Sequence, residues 1–95
     1  MLSFEWNPEK AKKNIEIHGI TFDEASTAFQ DSLSSTIFDP LHSKDEDRFV
    51  LIGTSFKNRL LVVAHTERGD NIRIISARKA TKQERKNYEE NVGRP

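Results

Sequence analysis

The apolar positions keep a helical spacing near the N-terminus and change to a strand-like one after residue 31. Asn7-Pro8 opens the first helical segment, because Asn7 can cap the free amides and Pro8 suits the first turn. The segment should run from residue 8 to 17 or 18 and stop at Gly19, which supplies a left-handed cap. Phe4 and Trp6 ahead of it form a short extended lead-in packed on the core. Thr21-Phe22-Asp23-Glu24 has the pattern of a capping box. Phe22, Ala25, Ser26 and Phe29 then mark the buried stripe of a second helix. Only Gly19 and Ile20 lie between the two helices, so they form a short antiparallel or crossed pair.

Strands follow. Residues 33–38 read as a first or edge strand, halted by Asp39-Pro40. Residues 42–47 form an acidic loop. Residues 48–55, 60–66 and 71–77 alternate as strands, with turns at Lys57-Asn58 and Arg68-Gly69-Asp70. Such short turns make the three an antiparallel meander. Thr81-Lys82-Gln83-Glu84 is a second capping box and begins a terminal helix through about residue 91. That helix is polar nearly all round, with Tyr88 and Val92 its sizeable apolar contacts, so its own core holds it weakly. Residues 92–95 read as frayed. The expected class is α+β: two N-terminal helices packed on a small antiparallel sheet of three or four strands, with a C-terminal helix.

Composition narrows this picture. Ninety-five residues make a single domain, and 35% apolar against 32% charged residues leaves a thin core of two layers. The chain has no cysteine, so disulfides and thiolate chemistry are out of reach. No apolar run approaches membrane-spanning length and no signal-like segment follows Met1, so a cytoplasmic protein with no membrane contact is expected. Net charge is zero, yet residues 1–47 carry 4 basic and 10 acidic side chains and residues 48–95 carry 11 and 5. This polarity points to a charged partner for one half, or to halves that neutralise each other in the fold.

The surplus of cation lies on and beside the last two strands. If Arg68-Gly69 is the hairpin tip, Thr66 faces Asn71 and Ala64 faces Arg73. Strict alternation then puts His65 and Arg78 on one side, with Arg73 and Thr66 on the other. His65 reads as a general base or acid, or as a core histidine beneath the helices. Arg73 and Arg78 suit a phosphate clamp that stabilises transition-state charge, or pairing with the N-terminal acids. Arg48 follows Asp45-Glu46-Asp47 and either pairs with that cluster or grips phosphate. Glu46 is a second candidate base; the acidic triplet lacks the companion motif of a metal site, so no metal is expected. Lys79, Lys82, Arg85 and Lys86 form a phosphate-tracking patch around the terminal helix, where Tyr88 stacks on a base or fills the core. His18 suits the dipole at its helix end, and His42 reads as a solvated loop residue. No P-loop, dinucleotide fingerprint, catalytic triad or zinc spacing is present.

Three stretches together, FEWNPEKAKKNIEIHGITFDEA, DPLHSKDEDRFVLIG and LLVVAHTERGDNIRIISARKATKQERKNYEE, resemble the BrnT toxins of type II toxin–antitoxin pairs. The resemblance spans residues 4–90. It implies a RelE-like endoribonuclease that cuts RNA without a metal or other cofactor, and so inhibits translation and growth. It also implies a cognate, DNA-binding BrnA-type antitoxin that forms a heterotetramer with the toxin and alone reaches operator DNA. The residue chemistry accommodates this: Arg73 and Arg78 as charge stabilisers, His65 or Glu46 in proton transfer, and Arg48, Arg68 and Lys79 as phosphate grips. The competing reading is a non-catalytic module that serves only as co-repressor with the antitoxin, and a weaker one is direct DNA binding through the terminal helix, which lacks a helix-turn-helix signature.

Overall fold

A computed structural model describes residues 1–92. Its core is a five-stranded sheet in the order β1-β5-β4-β3-β2. In chain order the elements are β1 (Ser3–Glu5), α1 (Pro8–His18), α2 (Phe22–Thr27), β2 (Ser35–Phe38), β3 (Arg48–Thr54), β4 (Leu60–Arg68), β5 (Asn71–Lys79) and α3 (Lys82–Val92). Short 3-10 turns follow α2 at Ala28–Gln30 and β2 at Pro40–His42. The expected frayed end falls mainly on residues 93–95, outside the described residues.

The caps form as the sequence requires. Asn7 Oδ1 accepts from the amides of Glu9 and Lys10 at 2.8 and 3.3 Å, and Gly19 closes α1 at φ 70°. At α3 the box is reciprocal: Glu84 N donates to Thr81 Oγ1 at 3.1 Å and Thr81 N to Glu84 Oε1 at 2.8 Å. At α2 only half of it forms. Thr21 Oγ1 accepts from Glu24 N at 3.0 Å, but the Glu24 carboxylate turns away to Arg59 and Ser55.

The sheet corrects the expectation of three or four antiparallel strands. The lead-in Ser3–Glu5 is itself a strand, parallel to β5, with Phe4 opposite Ile72. Its side chains still pack as foreseen: Phe4 and Trp6 lie against the core built from Ile20, Phe22, Ala25, Leu61, Val63, Ile72, Ile74 and Ala77. Asn14 fastens α1 to β5 from within that core. Its amide donates to Ile20 O and Ala77 O, both at 2.9 Å, and its Oδ1 accepts from Ala77 N at 3.1 Å. Gly53 lets the end of α2 approach, since a Cβ there would stand 2.7 Å from Ala28 O.

The β4–β5 register also differs from the sequence expectation. Thr66 faces Arg73, not Asn71, and Ala64 faces Ser76, not Arg73. A bulge between Ala64 and His65 leaves Ile75 without an opposite number. The extra residue reverses the alternation along β5, so that Ile72, Ile74 and Ala77 all point to the core. Arg78 thereby moves to the face of Arg73 and away from His65. The helices α1 and α2 cover the His65 face, while α3 crosses one end of the other face, where Tyr88 and Glu84 stand over Val62 and Ile52.

Candidate active site

The half of the outer sheet face that α3 leaves open carries the cations. Arg48, Thr66 and Arg73 are successive partners across β3, β4 and β5, so their side chains share one face in a single row. The two arginines flank Thr66 with Cα atoms about 10 Å apart, a span that two guanidinium groups close over one phosphodiester. Arg68 stands at the hairpin end, opposite Asn71. Among the described residues, Arg48, Arg68 and Arg73 take part in no ion pair. Arg48 is therefore not neutralised by the acidic triplet that precedes it, and its Nε is buried with no hydrogen-bond partner. With no carboxylate partner, the Arg48 guanidinium keeps its charge available to an anion.

The loop entering β3 borders this row. Asp39 N donates to Arg48 O at 2.9 Å. Ser43 Oγ donates to Asp39 O at 2.5 Å and accepts from Arg48 N at 2.8 Å, tying the loop to the strand. In the 3-10 turn Pro40–His42, His42 Nδ1 comes within 2.8 Å of Asp39 Oδ2. His42, Lys44, Asp45, Glu46 and Arg48 together line a concavity of about 200 Å³. Glu46 is thus brought beside Arg48, as a site would need.

Other residues singled out in the sequence lie elsewhere. His65 is fully buried on the opposite face, where its Nε2 meets Glu67 Oε2 at 2.8 Å. Its ring packs edge-on against Phe29 and stacks on Phe49. It shares no surface with the arginines. Arg78 lies about 13 Å from Arg73 along the sheet, since their partners Thr66 and Val62 are four residues apart on β4 at ~3.3 Å each. It forms a fork with Glu84 at 2.8 and 3.0 Å, which holds the Glu84 carboxyl down at about 2. That fork anchors α3. Arg73 and Arg78 are thus too far apart to close on one phosphate, and the arginine in the row of Arg73 is Arg48. Tyr88 fastens the same helix: its hydroxyl donates to Asp31 Oδ2 at 2.5 Å. Burial, then the Asp31 carboxylate, push this phenol above its usual range. The burial of Asp31 would raise its own carboxyl, but hydrogen bonds from Tyr88, Thr54 and Leu33 outweigh that and lower it. Tyr88 is therefore half-buried, with its hydroxyl tied to Asp31 and its ring lining the groove beside β2. Lys79, Lys82 and Arg85 are exposed, with Arg85 3.9 Å from Glu89. They lie around α3, apart from the Arg48 row.

His42 is exposed in the loop, as the sequence suggested, but its pairing with Asp39 was not foreseen. The available signal was Asp39-Pro40 followed by His42: proline starts a tight helical turn, and in a 3-10 turn residues three apart eclipse.

Among the described residues, no group of three or more His, Cys, Asp or Glu side chains is placed to hold a metal. No helix among them is long and apolar enough to cross a membrane.

A small α+β protein with unpaired guanidiniums on an open sheet face, beside a loop carrying histidine and carboxylate, has the build of a protein that grips a polyanion. A family model described as "Ribonuclease toxin, BrnT, of type II toxin-antitoxin system" matches residues 6–84, and the chain belongs to that family. The crystal structure of the Brucella abortus ribonuclease toxin, BrnT, has the same fold, with a TM-score of 0.61 and 22% identity over 86% of this chain and 100% of that one. A comparison with curated proteins returned no match.

Proposed function

We propose that this chain is an endoribonuclease toxin that cuts RNA through the substrate's own 2′-hydroxyl, without a metal, and is silenced by a cognate antitoxin. The carrying observation is the unpaired row Arg48–Thr66–Arg73, with the orphaned Arg48 Nε at its edge. Attack of a 2′-oxygen on the adjacent phosphorus builds charge on the phosphoryl oxygens, and guanidiniums held by a sheet stabilise it without reorganising. Arg68 extends the grip along the backbone at the hairpin end, while Lys79, Lys82 and Arg85 offer a more distant, salt-sensitive hold.

Purified protein, freed of antitoxin, is incubated with RNA in the presence and absence of ribosomes and of a chelator. Cleavage is expected to persist with the chelator. Arg48→Ala and Arg73→Ala each remove a charge stabiliser, which costs ~2–4 kcal/mol of barrier, or roughly 30- to 1,000-fold in rate. Folded wild-type protein that leaves RNA whole under all these conditions refutes the ribonuclease reading.

The antitoxin is of the DNA-binding BrnA type in this reading, joins the toxin in a heterotetramer, and carries it to operator DNA. Its docking surface is the free edge of β2. That strand holds no charged residue, and Ile37 is 64% exposed and Phe38 49%. Unguarded edges of this kind accept a partner's strand. Beside it a groove of about 310 Å³ runs between Leu33, Ile37, Val50, Ile52, Val62 and Tyr88. Asp39, Asp45 and Asp47 follow the strand, so an apolar segment with a basic flank complements both features. This surface would equally serve a non-catalytic co-repressor. Growth arrest by wild-type protein but not by Arg48→Ala decides for the enzyme.

A further inference from the structure

Metal-free cleavage needs a proton acceptor for the 2′-hydroxyl, and His65, with 0% exposure, is walled off from RNA. We infer that the acceptor is His42, oriented by Asp39, and that the scissile phosphate sits at Arg48, where the concavity at the start of β3 meets the arginine row. This rests on the ribonuclease reading above and assigns the step that reading leaves open.

His42 and Asp39 are held as a pair. The His42 side chain is 66% exposed and that of Asp39 only 23%, with 2.8 Å between Nδ1 and Oδ2. An ionised carboxylate only accepts hydrogen bonds, so Nδ1 must carry the proton. The neutral ring then presents the lone pair of Nε2 outward. Among the described residues no group bonds to that nitrogen. The carboxylate also favours the imidazolium that forms once the proton arrives. Arg48 supplies cation in the same concavity, and no carboxylate neutralises it. Base and charge stabiliser are thus joined by a loop that Ser43 staples to β3 at 2.8 Å.

In the reaction His42 Nε2 takes the 2′-hydroxyl proton as O2′ bonds to the adjacent phosphorus. The P–O5′ bond breaks, leaving a 2′,3′-cyclic phosphate and a 5′-hydroxyl end. The departing oxygen takes its proton from water, and the imidazolium returns its own to solvent. The charged groups facing His42 are Asp39 from its own turn, Lys44, Asp45 and Glu46 from the loop, and Arg48 from β3. Glu46 is the rival base.

The test uses the full chain with RNA, following kcat against pH. His42→Ala should lower kcat by at least ~100-fold, the usual yield of general base catalysis, with an unchanged melting curve and partial rescue by added imidazole. Asp39→Asn should lower kcat by ~10-fold or more with KM little changed, because the ring loses the partner that fixes its tautomer, and Asp39→Glu should recover part of the rate. Asp39 is a positioning residue, and its bonds to Ser43 and Arg48 run through its backbone, so the variant keeps the loop. Glu46→Gln should keep the acid limb. Wild-type-like cleavage by His42→Ala, or loss of the acid limb in Glu46→Gln alone, overturns the assignment. An Asp39→Asn enzyme that cleaves at the wild-type rate does so too. Inactive wild-type protein instead removes the ribonuclease reading, and this assignment with it.

Discussion

Arg59→Met tests how far the fold depends on one buried charge. The Glu24 side chain is 1% exposed, and its carboxylate is met by Arg59 Nε at 2.8 Å, by Arg59 Nη2, and by Ser55 Oγ at 2.7 Å. These contacts tie α2 to the turn between β3 and β4. Arg59, then Ser55, lower the Glu24 carboxyl against the opposing effect of burial. Methionine keeps most of the apolar stem but leaves the carboxylate with only the serine. Removing one partner of a buried pair costs ~3–5 kcal/mol. The retained serine bond and the 30% exposure of Arg59 reduce this to about 2–4 kcal/mol. A chain of 95 residues has roughly 5–14 kcal/mol in total, so the loss should lower Tm by roughly 10–25 °C. The sign with pH is distinctive. In the wild type the lowered carboxyl stabilises the fold above its unfolded value near 4.5, and this is lost as pH falls through the lower folded value. In the variant, burial without the guanidinium raises the carboxyl, so acid relieves the penalty. Urea unfolding at pH 7 and pH 4 should show the gap between variant and wild type shrinking with acid. A gap under 1 kcal/mol at neutral pH, or one that widens at pH 4, refutes the reasoning.

Arg78→Ala should loosen α3 while leaving the reaction chemistry intact. The fork is partly exposed, so the depression of Glu84 to about 2 is discounted to ~1 kcal/mol of stability, present above pH ~4.5 and lost as pH falls toward 2. Amide exchange along α3 reads this. A slowed reaction with unchanged exchange would return Arg78 to the chemistry. His65→Leu should cost ~1–2 kcal/mol in denaturant melts, as a near-isosteric core change that strands Glu67, with RNA cleavage retained. Lost cleavage in a folded variant would restore His65 as the proton acceptor. Ile37→Lys should weaken antitoxin binding at least ~10-fold by calorimetry while RNA cleavage continues. Unaltered affinity would move the antitoxin off the β2 edge.

The sequence made some features plain because their signals are local. The caps at Asn7, Gly19, Thr21 and Thr81 and the alternation of β3 and β4 belong to that group. Other features depend on the tertiary partner. β1 has three residues, too few for a period, and its pairing with β5 is a contact between chain positions far apart. The bulge was signalled only by the adjacent Ile74 and Ile75, where alternation fails for one step. Missing it placed His65 beside Arg78 and separated Arg73 from it. Arg48 was recognisable as a cation, but its freedom from the neighbouring acids is a property of the folded loop. The pairing of Asp39 with His42 depends on a single helical turn, too short for any pattern of apolar positions to reveal.

The parallel pairing of Ser3–Glu5 with Asn71–Arg73 bears on when a newborn toxin becomes dangerous. Its first residues stay unpaired until β5 has left the ribosome, because no earlier strand is their neighbour. Arg73 joins Arg48 only at that same late moment. Contacts of such long sequence separation form slowly. On the function proposed above, the nascent chain would therefore stay harmless for most of its synthesis, giving an antitoxin time to be waiting when the last strand closes.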